Sequence, residues 1–291
     1  MTTAAMTIDV EDYYHVHAFK DVISRSEWGD KESRVEANTN RILDLFEKAD
    51  AKATFFTLGC VAADHPQVVK RIVAEGHELA SHGWDHWAVF DQDRETFLAD
   101  ITRARETLED IGGVAVSGYR AASFSIDERS PWAYDALAEA GYRYSSSSHP
   151  IAHDAYGDPD ADRAPHVTAS GVVEIPVTTA KMGAKRVPAG GGGFFRLLPL
   201  SWFTRAHRQM LAEGLIPNFY LHPWEIDPEQ PRIKGAPLKS QFRHYVGLSR
   251  CESKLKRLLN GAMWTRMDEA YDGWLGGSER SNDNASERRS A

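Results

Sequence analysis

Apolar and polar residues alternate along this chain in two distinct patterns. Short apolar runs such as Lys52–Leu58 have the length of a buried strand, whereas segments such as Asn38–Ala49 place their apolar residues on one helical face. The predicted strands are Thr7–Val10, Lys52–Leu58, His77–Ala80, Val114–Tyr119, Val172–Val177 and Ile216–Leu221. The predicted helices are Asn38–Ala49, Pro66–Glu75, Arg94–Ile111, Pro131–Ala140 and Ser201–Glu213.

This order of elements predicts an α/β fold. Strands that alternate with helices form a parallel sheet covered by helices, either open or closed into a barrel. About seven strand–helix units fit between Thr7 and Leu221, one fewer than in an eight-stranded (β/α) barrel. The segments that interrupt the alternation are a loop at His149–Pro165, a tight and flexible turn at Pro188–Gly193, and a polar tail at Gly276–Ala291 that is expected to be disordered.

Composition and charge narrow the class of protein. Charged residues make up 26% of the 291 residues and the net charge is −8, which argues against a nucleic-acid partner. Cys60 and Cys251 have no metal-binding spacing, and this favours a reducing compartment. No run reaches the ~20 apolar residues of a membrane span, and the first residues lack the order of a signal peptide. The sequence therefore predicts a cytoplasmic protein without a transmembrane segment.

The first candidate motif is the pair His82 and His86. Residues four apart lie on one face of a helical turn, so both imidazoles are expected to reach one ion. The alternative is a pair of surface histidines, because twelve histidines produce such spacings by chance. The pair follows the predicted strand His77–Ala80, and α/β enzymes build their sites at the carboxyl ends of strands.

An acidic cluster formed by Asp9, Glu11 and Asp12 also ends a predicted strand. Three carboxylates in four residues repel one another, and a nearby cation removes this repulsion. One carboxylate is then available to bind the metal, while Asp9 stays free as a general base. The alternative is a solvated turn.

Two further residues end predicted strands. Arg120 follows Val114–Tyr119 and is expected either to pair with Asp9 or to cap a helix or bind a surface acid. His222 precedes a proline, which favours an extended backbone at the strand end. It is either a buried structural histidine or the proton donor that a leaving amine requires.

The order Thr7-Ile8-Asp9, Ser81-His82, His86, Arg120 and Leu221-His222 resembles the NodB-type polysaccharide deacetylases of carbohydrate esterase family four. That resemblance implies a deformed (β/α)7 barrel with a metal bound by one carboxylate and two histidines. Further stretches resemble the exosortase-associated branch of the family, whose genes lie at PEP-CTERM loci. These stretches are Thr7–His15, Ala53–Phe56, Gly191–Arg196 and Phe219–Glu225. The resemblance implies a single catalytic domain over residues 1–275, of which about 160–275 is a family-specific extension.

Roles carry over from the resemblance position by position. Asp9 matches the catalytic base, Arg120 the residue that orients this base, and His222 the general acid. An N–H group near Tyr119 is expected to stabilise the oxyanion, so Tyr119 is a substrate-binding candidate. Trp224, which adjoins His222, is a candidate for stacking on a sugar ring, although a buried packing role is the alternative.

The resemblance also implies a metal site. His82 and His86 match two of the ligands, and the third is Glu11 or Asp12, because Val10 stands where the commoner pattern has its ligand Asp. The expected metal is Zn²⁺, with Co²⁺, Ni²⁺ or Fe²⁺ as alternatives.

The implied activity is a metal-dependent hydrolase that removes N-acetyl groups from an amino-sugar polysaccharide or its lipid-linked precursor in exopolysaccharide biosynthesis. The expected partner is an N-acetylated glycan. Two alternatives are a metal-free, allantoinase-like amidohydrolase and a non-catalytic glycan-binding module. Retention of His82 and His86 argues against the first, and retention of Asp9 and His222 argues against the second. The sequence does not predict the oligomeric state.

Overall fold

The strands and helices come from a computed structural model that describes residues 3–152, 157–183 and 185–276. The predicted tail falls almost wholly outside these residues. The strands are β1 (Thr3–Val10), β2 (Thr54–Thr57), β3 (Glu78–Ser81), β4 (Gly118–Tyr119), β5 (Tyr144–Ser145), β6 (His166–Val167), β7 (Val173–Glu174), β8 (Thr179–Met182), β9 (Lys185–Pro188), β10 (Asn218–Leu221) and β11 (Met263–Thr265). The helices are α1 (Val35–Ala49), α2 (Gly59–Asp64), α3 (Pro66–Ala74), α4 (Arg94–Gly112), α5 (Ala133–Glu139), α6 (Gly192–Leu197), α7 (Leu200–Ala212), α8 (Leu238–Tyr245), α9 (Leu248–Leu259), α10 (Met267–Ala270) and α11 (Asp272–Leu275).

One sheet organises the fold, with the strand order β10-β1-β2-β3-β4-β5-β7-β6. Its first seven strands in this order run parallel, β6 pairs antiparallel with β7, and β11 adds to β1. Strands from before and after residue 160 therefore belong to the same sheet. The parallel sheet curls and carries helices, and the predicted deformed (β/α)7 barrel is confirmed.

The core lies between the sheet and its helices. The residues of β1 and β2 are therefore buried on both faces of the sheet, as is usual for parallel strands. One large apolar cluster joins β1, β2 and β10 to helices α1 and α9, and it includes Ile8, Phe55 and Phe219. A second cluster joins β3 and β4 to α4 and α5. No helix within the described ranges has the length and apolar character that crossing a membrane requires.

The segment Pro188–Gly193, which was predicted as a tight and flexible turn, packs against the sheet, and its flexibility stays a prediction. Gly191 bridges to Tyr220 of β10 with a backbone φ of 140°. A Cβ atom at this position would lie 1.9 Å from the Tyr220 carbonyl oxygen, so only glycine permits the contact. The sequence pattern also missed the antiparallel hairpin of β8 and β9.

The segment between β1 and α1 is anchored by Asp12, which is fully buried. One carboxylate oxygen accepts hydrogen bonds from the Arg34 and Val35 N–H groups at 2.7 and 3.0 Å, and from the Ser33 hydroxyl at 3.0 Å. The other oxygen accepts the Tyr13 N–H at 2.9 Å. Asp12 therefore satisfies donors at the start of α1 that the helix itself leaves unpaired.

We expect Asp12→Ala to lower the free energy of unfolding by about 1–3 kcal/mol, because it leaves buried N–H donors without an acceptor. Urea denaturation of both proteins measures this difference. Asp30→Ala, which removes an exposed carboxylate from the same segment, is the control and should change stability little. Equal stabilities for Asp12→Ala and the wild type would contradict the anchoring role.

Candidate active site

The predicted site residues come together at the carboxyl ends of four strands. Asp9 is in β1, and Glu11 follows it. His82 follows β3, Arg120 follows β4, and His222 follows β10. The parallel pairing brings these ends to one edge of the sheet, which is where α/β enzymes bind their ligands.

Glu11, His82 and His86 form a group whose potential ligand atoms all lie within 4.8 Å of one another. Glu11 Oε2 lies 2.8 Å from His86 Nε2, yet it lacks the alignment of a hydrogen bond. Two imidazoles and a carboxylate are a donor set that suits Zn²⁺ and similar ions, and three ligands leave coordination positions open for water and substrate. The residues present therefore fit a divalent metal.

The two histidines reach this point through a loop, and not through the helical turn that their spacing suggested. The segment after Ser81 has no helical structure up to Val89. Gly83 and His86 both have positive φ angles, 79° and 59°. Arg25 stabilises the loop by donating hydrogen bonds to the carbonyl oxygens of Asp85 and His86 at 3.1 and 3.2 Å.

His82 is oriented by its second ring nitrogen. Its Nδ1–H donates a hydrogen bond of 2.8 Å to the Arg120 carbonyl oxygen, which leaves Nε2 free for a metal. Burial lowers the pKa of His82 to about 4, more than the nearby carboxylate of Asp9 raises it. The imidazole is therefore neutral at pH 7, the form that ligates metals.

Between the two carboxylates predicted as third ligand, the structure brings Glu11 to the histidines. Asp12 accepts backbone hydrogen bonds in the loop before α1, as described above, and does not lie in the group. Burial by itself would raise the pKa of Glu11, but His86, His222 and His82 together hold it well below its usual range.

Asp9 and Arg120 form a buried ion pair. Arg120 Nη1 donates to Asp9 Oδ1 at 2.6 Å and to the Thr7 hydroxyl at 2.7 Å. Its Nε and Nη2 donate to the carbonyl and hydroxyl oxygens of Ser146 at 3.1 and 3.0 Å. The guanidinium also lies 4.1 Å from the centre of the Phe56 ring. The sequence left open whether Arg120 pairs with Asp9, caps a helix or binds a surface acid, and in the structure it pairs with Asp9.

His222 sits between the acids. Its Nδ1–H donates to Glu225 Oε1 at 2.7 Å, and its Nε2 lies 3.8 Å from Asp9 Oδ2 and 3.7 Å from Glu11 Oε1. Burial lowers the pKa of His222, but the hydrogen bond to Glu225 and the charges of Glu11, Glu225 and Asp9 raise it to about 9. A divalent cation beside Glu11 would oppose this increase. The imidazole is still 18% exposed, so a substrate can reach it.

Glu225 and Arg196 are site residues that the sequence analysis did not single out. Glu225 Oε2 accepts a hydrogen bond of 2.6 Å from Arg196 Nε, and the charge of Arg196 helps to lower the pKa of Glu225 against the effect of burial. Arg196 also donates to the carbonyl oxygens of His244 and Val246 at 2.5 and 2.8 Å. The spacing of three residues between His222 and Glu225 in a capping arrangement was the one local signal available.

Trp224 was predicted either to stack on a sugar ring or to pack in the interior, and its buried position agrees with packing. It is only 4% exposed, and its indole is stacked between His222 and His244, at centroid distances of 5.2 and 4.2 Å. Its Nε1–H donates a hydrogen bond of 3.0 Å to Glu11 Oε1. Trp224 therefore packs beneath the site and contacts Glu11, His222 and His244.

Tyr119 is likewise not placed to bind substrate. Its side chain is buried against Phe97, which it meets edge-on, and against Tyr142, which it meets at a tilt, on the helix-covered face of the sheet. The following N–H groups are also occupied, since that of Arg120 donates to the Ser81 carbonyl and that of Ala121 to the Ser147 hydroxyl.

A cavity of about 360 Å³ opens beside His86. Trp87 lies on its wall and is 43% exposed, with the Arg25 guanidinium 3.5 Å from the centre of one face of the indole. The residues that line the cavity include His15, Arg25, Trp28, His86, Trp87 and Asp91. Of the three candidate metal ligands, His86 lines this cavity.

The chain is similar to known proteins in two consecutive regions. Residues 27–145 match the model of the polysaccharide deacetylase family, and residues 146–272 match a domain of unknown function, DUF3473. The first region contains His82, His86 and Arg120. The second contains Arg196, His222, Trp224 and Glu225.

Individual relatives match only part of the chain. "Putative polysaccharide deacetylase YheN" of Bacillus subtilis is 44% identical over 78 residues, which is 26% of this chain and 28% of that protein. The peptidoglycan-N-acetylglucosamine deacetylase PgdA of Listeria monocytogenes is 35% identical over 75 residues, 26% of this chain and 16% of that protein. A chitooligosaccharide deacetylase of Rhizobium leguminosarum bv. trifolii is 37% identical over 70 residues, 24% of this chain and 33% of that protein. The chain thus spans a third or less of the length of these relatives.

Two solved structures share the fold over most of the chain. One is the crystal structure of a "putative polysaccharide deacetylase" from Mycobacterium smegmatis, with a TM-score of 0.61 at 19% identity, covering 96% of this chain and 91% of that one. The other is Puue allantoinase, with a TM-score of 0.61 at 16% identity, covering 94% and 90%. At these identities the likeness shows the fold alone. Sequence similarity to the polysaccharide deacetylase family covers residues 27–145 of this chain.

Proposed function

We propose that this protein is a metal-dependent hydrolase that removes N-acetyl groups from an amino-sugar polysaccharide or its lipid-linked precursor. The observation that carries the proposal is the meeting of Glu11, His82 and His86 beside the acid Asp9 and the imidazole of His222. Relatives named as chitooligosaccharide and peptidoglycan deacetylases support the choice of an N-acetylated glycan. The motifs shared with the PEP-CTERM-locus branch support a role in exopolysaccharide biosynthesis. The cytoplasmic location stays a prediction.

Glu11, His82 and His86 would hold the cation, with Zn²⁺ favoured and Co²⁺, Ni²⁺ or Fe²⁺ as alternatives. When bound, such an ion supplies Lewis-acid polarisation of the acetyl carbonyl and makes water more acidic. The protein contributes the ligand geometry and the orientation of each ligand by hydrogen bonds to its outer atoms.

Asp9 acts as the general base. It accepts a proton from the water that adds to the acetyl carbonyl carbon. Arg120 and the Thr7 hydroxyl keep Asp9 in place, because Arg120 Nη1 bonds both of them.

His222 acts as the general acid. Its Nε2 proton goes to the sugar nitrogen as the C–N bond breaks, and the products are acetate and a free amine. Glu225 fixes the ring through Nδ1 and stabilises the protonated imidazole, and Arg196 keeps Glu225 ionised.

The metal-free amidohydrolase is the second candidate, because Puue allantoinase has the same fold. The assembled Glu11, His82 and His86 group favours the metal-dependent reaction, since a metal-free site has no use for three buried ligands aimed at one point.

We expect acetate release from N-acetylated glycans that is abolished by a chelator and restored by added Zn²⁺. The assay uses the full chain with chitooligosaccharides, peptidoglycan fragments and poly-N-acetylglucosamine as separate substrates, and measures acetate enzymatically. An O-acetylated glycan in the same panel separates amide from ester hydrolysis. Activity that the chelator leaves unchanged would contradict the metal mechanism, and hydrolysis of a small ureide alone would favour the second candidate.

Asp9→Asn and His222→Ala should each lower kcat roughly 10²–10⁴-fold, because each removes one proton transfer. Circular dichroism checks that both variants are folded. His166→Ala, which removes a partly exposed histidine of the edge strand β6, should leave kcat unchanged. Wild-type turnover in either site variant would exclude that residue from the chemistry.

Glu225→Gln should shift the alkaline limb of the pH–rate profile to lower pH. The carboxylate of Glu225 raises the pKa of His222, so its loss makes the imidazole deprotonate at lower pH, and the general acid is lost earlier as pH rises. The measurement is kcat from pH 6 to 10 on each protein. Glu229→Gln removes an exposed acid four residues away and should leave the limb in place.

A further inference from the structure

The two carboxylate oxygens of Glu11 have different surroundings. Oε1 accepts a hydrogen bond of 3.0 Å from the Trp224 indole N–H. Oε2 lies 2.8 Å from His86 Nε2 and has no hydrogen-bond partner within the described residues. One oxygen is therefore held by the protein, and the other is directed to the point that His82 and His86 share.

The indole that holds Oε1 is itself fixed from both sides. One face lies against His222 at an interplanar angle of 19°, and the other against His244 at 13°. His244 Nε2–H donates to Gln230 Oε1 at 2.5 Å, and Gln230 Nε2 donates back to the Trp224 carbonyl oxygen at 2.8 Å. The stack has little freedom to shift, because each ring is bonded as well as packed.

We propose that Trp224 is a positioning residue for the metal ligand Glu11. Its N–H holds Oε1, so that Oε2, which has no hydrogen-bond partner within the described residues, would be the oxygen offered to the cation. This inference rests on the proposed function and extends it to a residue outside the ligand set.

A positioning residue is needed because the glutamate side chain is long. A glutamate has one more rotatable side-chain bond than an aspartate, so fixing its carboxylate costs more conformational entropy on binding an ion. A hydrogen bond to the outer oxygen removes that freedom before the ion arrives. Outer hydrogen-bond partners of metal ligands commonly change metal affinity 10–100-fold when they are mutated.

Trp224→Phe tests the inference, because it retains an aromatic ring between the histidines and removes the N–H donor. The measurement is the Kd for Zn²⁺ of the metal-stripped full chain, by competition with a chromophoric chelator, without any assay of turnover. Trp264→Phe is the matched control. Trp264 is also 4% exposed, and its N–H also makes one hydrogen bond, of 3.3 Å to the Leu258 carbonyl oxygen, but it lies in β11 outside the site.

We expect Trp224→Phe to weaken Zn²⁺ binding roughly 10–100-fold and Trp264→Phe to leave it unchanged. Wild-type affinity in a folded Trp224→Phe protein would overturn the positioning role while leaving the proposed function intact. A wild-type protein that binds none of Zn²⁺, Co²⁺, Ni²⁺ and Fe²⁺ would instead contradict the proposed function. If Trp224→Phe fails to fold, the Kd for Zn²⁺ is measured on His244→Ala, which removes the ring stacked on the other face of the indole. Weaker Zn²⁺ binding supports the inference, and unchanged affinity refutes it.

Discussion

The burial of carboxylates at the end of β1 is the constraint on which the rest of this structure depends. Asp9 and Glu11 are each about 2% exposed, and an ionised carboxylate in such surroundings is strongly destabilising unless a positive group or several donors accompany it. Neither partner can come from β1 itself. Asp9 is compensated by Arg120 from β4, and Glu11 faces the histidines that follow β3. The sheet order places these strands close enough for both contacts.

The same constraint explains a second, outer layer of charges. His222 lies near both acids, and its protonated form is stabilised by Glu225. Glu225 is fully buried as well, and it is compensated by Arg196, whose remaining donors hold the chain after α8. Negative and positive groups thus alternate outwards from Asp9 through His222 and Glu225 to Arg196.

The region of unknown function is part of this site. Family similarity divides the chain after residue 145, but β10 from the second region pairs with β1 from the beginning of the chain over Ala5–Ile8. That pairing delivers His222, Trp224 and Glu225 to the acids. The tight contact of Gly191 with Tyr220 brings α6, and with it Arg196, beside the same strand. Residues 27–145, which match the polysaccharide deacetylase family model, do not include the proposed general acid His222.

Much of the fold could be predicted from local sequence patterns. Each strand and helix buries one or both of its faces, and this burial leaves an apolar run or an amphipathic pattern in the sequence. The long helices α1 and α4 were predicted within a few residues of their observed bounds. The hairpin of β8 and β9 was missed because it lies outside the main sheet and is half exposed, so it has no buried apolar run.

The sequence by itself determined the parallel α/β architecture and the residue types that end each strand, since both follow from periodicity and strand order. Only the tertiary structure places Glu11 beside the two histidines and Asp12 at the start of α1, because adjacent residues on an irregular segment point in directions that spacing does not specify. It also places the Trp224 indole N–H against Glu11 and the Tyr119 side chain in the core, because the partners of both side chains come from distant parts of the chain. The His82 and His86 pair was identified from its spacing, but the loop with positive φ that unites the two rings, held by Arg25, is a long-range contact that no local pattern contains.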